Sequence, residues 1–115
     1  MVQKYFDSVQ MAEQEAKVGL ATLTRSNLRQ LIDSGYRGDI WIGRPRLGDI
    51  DSTYYEFKGN RLTGRFFTGK KYLFGLLRGV EARDVTPEEL PLEGFSYGRL
   101  AAIAANVEKA VSTRQ

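Results

Sequence analysis

The chain has 115 residues, of which 42% are hydrophobic and 27% charged, with a net charge of +3 at pH 7. This composition is typical of a single globular domain over residues 1–115 and excludes a disordered tail, and no apolar run reaches the ~18 residues of a membrane span. Because the sequence contains no Cys and no His, it excludes thiolate and imidazole catalysis, disulfides and nearly all structural zinc sites. We therefore expect a cytoplasmic protein without membrane association, metal or cofactor. The absence of Cys and His also makes an enzyme the less favoured class of protein.

Residues 1–35 are predicted to be a helical segment. Apolar or small residues recur there at alternating three- and four-residue spacing: Val2, Tyr5, Val9, Ala12, Ala16 and Leu23. Gly19 occupies the position of this pattern between Ala16 and Leu23. The pattern is interrupted after Leu23, where Ser26 suits the N-cap of a second short helix, and Gly35 suits a helix end. The sequence leaves open whether this segment is one bent helix or two separate helices.

Residues 39–85 are predicted to form an antiparallel meander of about four to five strands. The pair Gly59-Asn60 suits a two-residue hairpin turn, which places Phe57 opposite Leu62. Alternate residues of both flanking strands then form one largely apolar face, as a half-buried hairpin requires.

The stretch GRFFTGKK, from Gly64 to Lys71, has the spacing of a phosphate-binding loop. Lys71, however, occupies the position where Ser or Thr would bind magnesium, and the aromatic KYLFGLLRGV after it is a poor helix opening. We therefore interpret Gly69-Lys70 as a second two-residue turn. This interpretation predicts that Phe66 pairs with Leu73.

The C-terminal part is predicted to end in an amphipathic helix over residues 96–113. Before it, Thr86–Glu89 resembles a helix start with a proline in its first turn, and Pro91 ends it after about one turn. Ser96 suits the cap of the long helix, whose apolar stripe is Leu100, Ile103, Ala104, Val107 and Val111. We expect this stripe to pack on the sheet, although the Ala-rich run also leaves a homodimer contact open. The whole is an α+β fold.

Basic and aromatic residues are concentrated in the predicted meander. Residues 37–83 hold ten Lys or Arg against five Asp or Glu, and most of the aromatic residues. The second sheet face and its border supply the candidate binding surface: Trp41, Arg44, Arg46, Tyr54, Arg61, Arg65, Phe67, Lys70, Lys71, Tyr72 and Phe74. Because sheets with apolar residues on both faces are usually covered on both, we expect helices of the chain or a second subunit to cover much of this face.

This surface favours a small, non-enzymatic binding protein. We rank a protein partner first because the net charge is only +3 and because we expect much of the aromatic face to be covered. Aromatic faces bordered by cations also suit RNA or single-stranded DNA, which is the alternative for the same face.

An enzyme remains as a further alternative. The order of helix, helix and antiparallel meander in a small basic protein is similar to that of bacterial mRNA-cleaving toxins of the RelE type, which act without histidine. The resemblance implies roles for Arg44, Arg46, Arg65 and Tyr72 in stabilising phosphate and moving a proton. The chain departs from that order because no clear strand precedes the helices and a long helix follows the meander.

Overall fold

The computed structural model describes residues 2–45, 54–68 and 79–113, with side chains for residues 8–45, 54–66 and 81–113. The predicted α+β architecture is confirmed: an N-terminal helix precedes a four-stranded antiparallel sheet, and a C-terminal helix packs on that sheet. The helices are α1 (Val2–Asp33) and α2 (Tyr97–Thr113), and the strands are β1 (Gly38–Gly43), β2 (Tyr54–Gly59), β3 (Arg61–Thr68) and β4 (Gly79–Asp84). The strand order is β1-β2-β3-β4, so β1 and β4 are the edges.

The N-terminal segment is one continuous helix of 32 residues. Ser26 therefore lies inside α1 and caps no second helix. After the helix, Gly35 adopts a φ of 71°, and the amide of Tyr36 donates to the carbonyl of Leu31 over 3.0 Å. This is the left-handed glycine ending that the sequence indicated.

The face that α1 buries differs from the three-four pattern in its sequence. Ala21, Leu28 and Leu31 are fully buried, whereas all residues from 8 to 16 are exposed. Val9 and Leu23, which belong to the three-four pattern, are 41% and 49% exposed. The second half of α1 therefore packs on the protein, and the first half extends beyond the core.

The β2–β3 hairpin has the predicted register. Phe57 lies opposite Leu62 and Lys58 opposite Arg61, and Gly59 adopts a φ of 67° at the turn. In contrast, the predicted pairing of Phe66 with Leu73 is wrong, because Phe66 lies opposite Glu81 of β4. The proposed Gly69-Lys70 turn itself lies outside the described residues.

The partner of β3 is a polar strand, β4, which forms the edge of the sheet opposite β1. Arg83, which alternates onto the apolar face, extends over the ring of Phe66 with its guanidinium carbon 4.4 Å from the ring centroid. The same guanidinium forms a 3.1 Å ion pair with Glu89 and lowers the pKa of that carboxyl through the hydrogen bond. An edge position of this kind tolerates charged residues that a central strand would not.

One hydrophobic core lies between the helices and one face of the sheet. α1 packs along α2, and α2 contacts β1. The core residues are, from the sheet, Ile40, Ile42, Tyr55, Phe57 and Leu62, and, from the helices, Ala21, Leu28, Leu31, Leu100, Ile103, Val107 and Ala110. The predicted apolar stripe of α2 is thus core, and burial raises the pKa of the Tyr55 phenol.

The connection between sheet and α2 consists of two short 3₁₀ helices, Pro87–Glu89 and Leu92–Gly94. The predicted start at Thr86 is confirmed, with a reciprocal capping arrangement between Thr86 and Glu89. Arg25 of α1 holds this connection in place through two 2.7 Å bonds to Glu93 and a 2.6 Å bond to the carbonyl of Leu90. The predicted cap of α2 is also present, since the amide of Arg99 donates to the Ser96 hydroxyl over 3.3 Å.

In the described part of the chain, no helix combines the length and the apolar character needed to cross a membrane.

Candidate functional site

The sheet face opposite the core is open. Residues of this face alternate with the core residues along each strand, and at the described positions all of them are exposed or half-buried. The expectation that the terminal helices would cover this face is not met for the described residues, because α1 and α2 lie side by side on the other face. Trp41, on the edge strand β1, therefore remains 52% exposed.

Two aromatic side chains meet on this open face. The ring centroids of Trp41 on β1 and Tyr54 on β2 are 5.1 Å apart, with the planes tilted by 36°. Trp41 lies opposite Glu56, and the register shifts between Trp41 and Gly43, so the bulge brings the indole diagonally towards Tyr54. A β-bulge commonly redirects a side chain in this way.

Two arginines flank the aromatic pair. Arg65 lies directly opposite Tyr54, with its guanidinium carbon 5.5 Å from the ring centroid. Arg44, immediately after β1, approaches the same ring to 5.9 Å. Both arginines are exposed, and cation–π contacts at such sites contribute about 0.5–1 kcal/mol. We refer to Trp41, Arg44, Tyr54 and Arg65 as the aromatic–arginine cluster.

The remainder of the open face has mixed charge. Asp39 and Glu56 lie on it together with Lys58, and Arg61 forms two hydrogen bonds to Asp84, over 3.1 and 2.8 Å. The bond to Asp84 raises the pKa of Arg61. Among the described residues, neither Arg44 nor Arg65 of the aromatic–arginine cluster forms an ion pair, whereas Arg61 does.

The predicted surface residues fall into three groups. Trp41, Arg44, Tyr54 and Arg65 are brought together, as the sequence indicated. Arg61 lies at the opposite end of the face and is paired with Asp84. The others lie outside the residues whose side chains are described: Arg46, Phe67, Lys70, Lys71, Tyr72 and Phe74.

A second surface feature escaped the sequence-based prediction. A groove of about 440 Å³ runs between β1 and α2, and its walls include Tyr36, Asp39 and Trp41 on one side and Arg99, Asn106 and Lys109 on the other. The signal that could have revealed it is the helical spacing of Arg99, Asn106 and Lys109, which places them along one flank of α2.

The described residues offer little for acid–base or metal chemistry. The buried phenol of Tyr55 has a raised pKa and so stays protonated at neutral pH. Among the described side chains, no group of three or more acidic residues is arranged to hold a metal ion.

Comparisons of the chain with protein-family profiles, with curated proteins and with solved structures give no match.

Proposed function

We propose that this chain is a small, non-enzymatic binding protein whose aromatic–arginine cluster is the centre of a docking surface for a protein partner. The observation that carries this proposal is the 52% exposure of Trp41 in direct contact with Tyr54. A large exposed aromatic side chain, in contact with a tyrosine whose ring two arginines approach, has the composition of an interface hot spot, where Trp, Tyr and Arg dominate the binding energy.

Charge favours a protein over a nucleic acid as the partner. Binding to single strands uses cations along a path of phosphates, whereas the open face interleaves its cations with Asp39, Glu56 and Asp84. Two arginines border the aromatic pair, and Arg61 already has an acidic partner. An interface with an aromatic centre and a rim of both charges fits this pattern better.

The test is affinity capture from a lysate of the source organism, with Trp41→Ala compared with Tyr97→Ala. Tyr97 is a matched control, because it is 45% exposed and lies on α2 away from the open face. We expect defined proteins that nuclease treatment does not remove and that are lost with Trp41→Ala but retained with Tyr97→Ala. Equal capture by all forms would reject the cluster as the docking site.

Capture at different salt concentrations and a growth assay distinguish the alternative functions. Capture that depends on nucleic acid and falls steeply between low and moderate salt would replace the protein partner by RNA or single-stranded DNA. Growth arrest on expression, abolished by Arg65→Ala, would support the mRNA-cleaving toxin, two of whose four candidate residues lie in the cluster.

We further propose a cytoplasmic setting, because a chain without cysteine needs no oxidising compartment.

We also propose that the chain forms a homodimer through the extended half of α1. The three-four pattern of Val9, Ala12, Ala16, Gly19 and Leu23 is exposed at every one of these positions, and it is distinct from the face that packs on the core. A repeat averaging 3.5 residues suits two helices that wrap around each other. Small residues at its centre allow close approach, and a second copy presents an identical seam.

A further inference from the structure

The groove between β1 and α2 has the dimensions of an extended peptide. β1 has six residues, which corresponds to about 20 Å of strand. The flank of α2 from Arg99 to Thr113 runs alongside for about 21 Å. The volume of the groove, about 440 Å³, falls within the range of ligand-binding clefts.

The edge of β1 presents main-chain hydrogen-bonding groups to this groove. The carbonyl of Leu62 accepts a hydrogen bond from the amide of Val85 over 3.0 Å, so the main-chain amide and carbonyl of Leu62 point towards β4. The main-chain groups of the adjacent residues Arg61 and Thr63 therefore point towards β2. Because these directions alternate along each strand, the registers of the sheet direct the main chain of Ile40 towards β2. The amides and carbonyls of Asp39 and Trp41 therefore point outwards, along the edge of β1 that pairs with no described strand.

Two cations stand at opposite ends of the α2 flank. Arg99 donates to the carbonyl of Ile42 over 3.4 Å, which places its guanidinium beside the end of β1. Lys109 lies ten positions further along the helix, about 15 Å away along its axis. Among the described residues neither cation has a carboxylate partner, and the carboxylate of Asp39 is turned to the amide of Gly59, 3.4 Å away.

The spacing of the cations matches one side of a strand. Residues i and i+4 of an extended peptide project to the same side and lie about 13 Å apart, within reach of two long flexible cations about 15 Å apart. Between them, residue i+2 would face Ala102 and Ile103, which line the middle of the groove. A peptide with acids at i and i+4 and a small apolar residue at i+2 thus complements the α2 flank.

We propose that the groove binds an extended acidic segment of a protein partner, which adds to the edge of β1 as a further antiparallel or parallel strand with its carboxylates on Arg99 and Lys109. Strand addition of this kind draws affinity from main-chain hydrogen bonds and specificity from alternate side chains. The inference rests on the proposed function, since it identifies which part of a protein partner would be bound beside the aromatic–arginine cluster.

The probe is the blocked peptide acetyl-Thr-Glu-Thr-Val-Thr-Glu-Thr-amide, titrated into the full chain. Trp41 is the single tryptophan and lines the groove, so its fluorescence reports binding. We expect saturable binding that falls at least about tenfold in the double variant Arg99→Glu with Lys109→Glu. Glu108→Lys, an exposed change on α2 outside the groove, is the matched control and should leave binding unchanged.

Main-chain pairing is tested with two N-methylated peptides. One peptide carries N-methyl groups on the amides of the two Glu residues and of Val. The other peptide carries them on the amides of the second, third and fourth Thr residues. Because only alternate amides of an added strand face β1, one form should lose binding and the other retain it. A peptide with Lys at both acidic positions should in turn bind the charge-reversed double variant, which shows that this variant is folded.

Several outcomes would overturn the inference. These are no saturable binding up to millimolar peptide, equal binding by the charge-reversed variant, or equal effects of the two methylation patterns. The proposed function fails separately, because its own test measures capture of whole proteins and compares Trp41→Ala with Tyr97→Ala. Capture that depends on Trp41 but is unaffected by reversal of Arg99 and Lys109 would retain the docking surface and reject the groove.

Discussion

Trp41 and Tyr54 are in contact across β1 and β2, with ring centroids 5.1 Å apart, on the sheet face that the helices leave open. The contact fixes the indole in one place without burying it, since Trp41 remains 52% exposed. A fixed, exposed aromatic side chain loses little conformational entropy when a partner covers it, which is one reason why such residues dominate interfaces.

Replacing Trp41 should therefore affect folding far less than replacing a core aromatic. We expect Trp41→Ala to lower the free energy of unfolding by no more than about 2 kcal/mol, because about half of this side chain is already exposed to solvent. Phe57→Ala, at a residue 1% exposed, should cost about 3–5 kcal/mol. Urea denaturation followed by circular dichroism measures both. A large loss of stability in Trp41→Ala would indicate a structural role for this side chain.

The ion pair between Arg25 and Glu93 should stabilise the packing of α1 against the connection to α2. Glu93→Gln should lower the free energy of unfolding by about 1 kcal/mol, because the pair is charge-assisted but partly exposed to solvent. Glu108→Gln, at an exposed residue of α2, serves as the control and should have no measurable effect. Thermal denaturation at pH 7 compares the two variants.

The same pair predicts a pH dependence. The hydrogen bond from Arg25 holds the pKa of the Glu93 carboxyl below its ordinary value. Its stabilising contribution is therefore complete above the ordinary pKa of about 4.3 and is lost as the pH falls through the lowered value. The stability difference between the native chain and Glu93→Gln should shrink in acid. A difference that stays constant from pH 7 to pH 3 would show that the pair makes no contribution.

The register of β3 against β4 can be tested with a disulfide, because the chain has no cysteine. Thr63 lies opposite Asp84, at a position where the main-chain groups point away from each other and the Cα atoms are about 4.5 Å apart. Thr63→Cys with Asp84→Cys should form a disulfide quantitatively on mild oxidation. The displaced pair Thr63→Cys with Ala82→Cys should not. Intact-mass measurement under non-reducing conditions distinguishes them, and the reverse result would refute the register.

Self-association through α1 makes a prediction of its own. Val9→Glu should convert the chain to a monomer, because it places a charge within the three-four seam and against its copy in the partner. Val18→Glu is the control, since Val18 is 49% exposed on the same helix but off the seam. Light scattering coupled to size exclusion gives the mass in solution. If the native chain is a monomer in solution, the proposed dimer is refuted.

The sequence determined the local features of this protein, because each depends on a few neighbouring residues. Gly59-Asn60 encodes its hairpin turn through a positive φ, and the alternation on either side of it sets the β2–β3 register. Ser96 and the stripe after it define α2 in the same way, as does the capping of the connection at Thr86. Tyr54 and Arg65 follow from this register as members of one face, whereas the place of Trp41 beside them depends on the pairing of β1 with β2.

Only the tertiary structure decided which faces are covered. The three-four pattern of α1 predicts a helix but not which of its sides meets the core, and the buried side is that of Ala21, Leu28 and Leu31. β4 was missed as the partner of β3 because Glu81 and Arg83 lie on its inner side, so the strand lacks the apolar alternation by which a sequence indicates a half-buried strand. The groove depends on the distance between β1 and α2, which long-range packing sets. Local propensity acts over a few residues, whereas exposure and clefts arise where segments far apart in sequence meet, and this is why the surfaces available for binding emerged only with the fold.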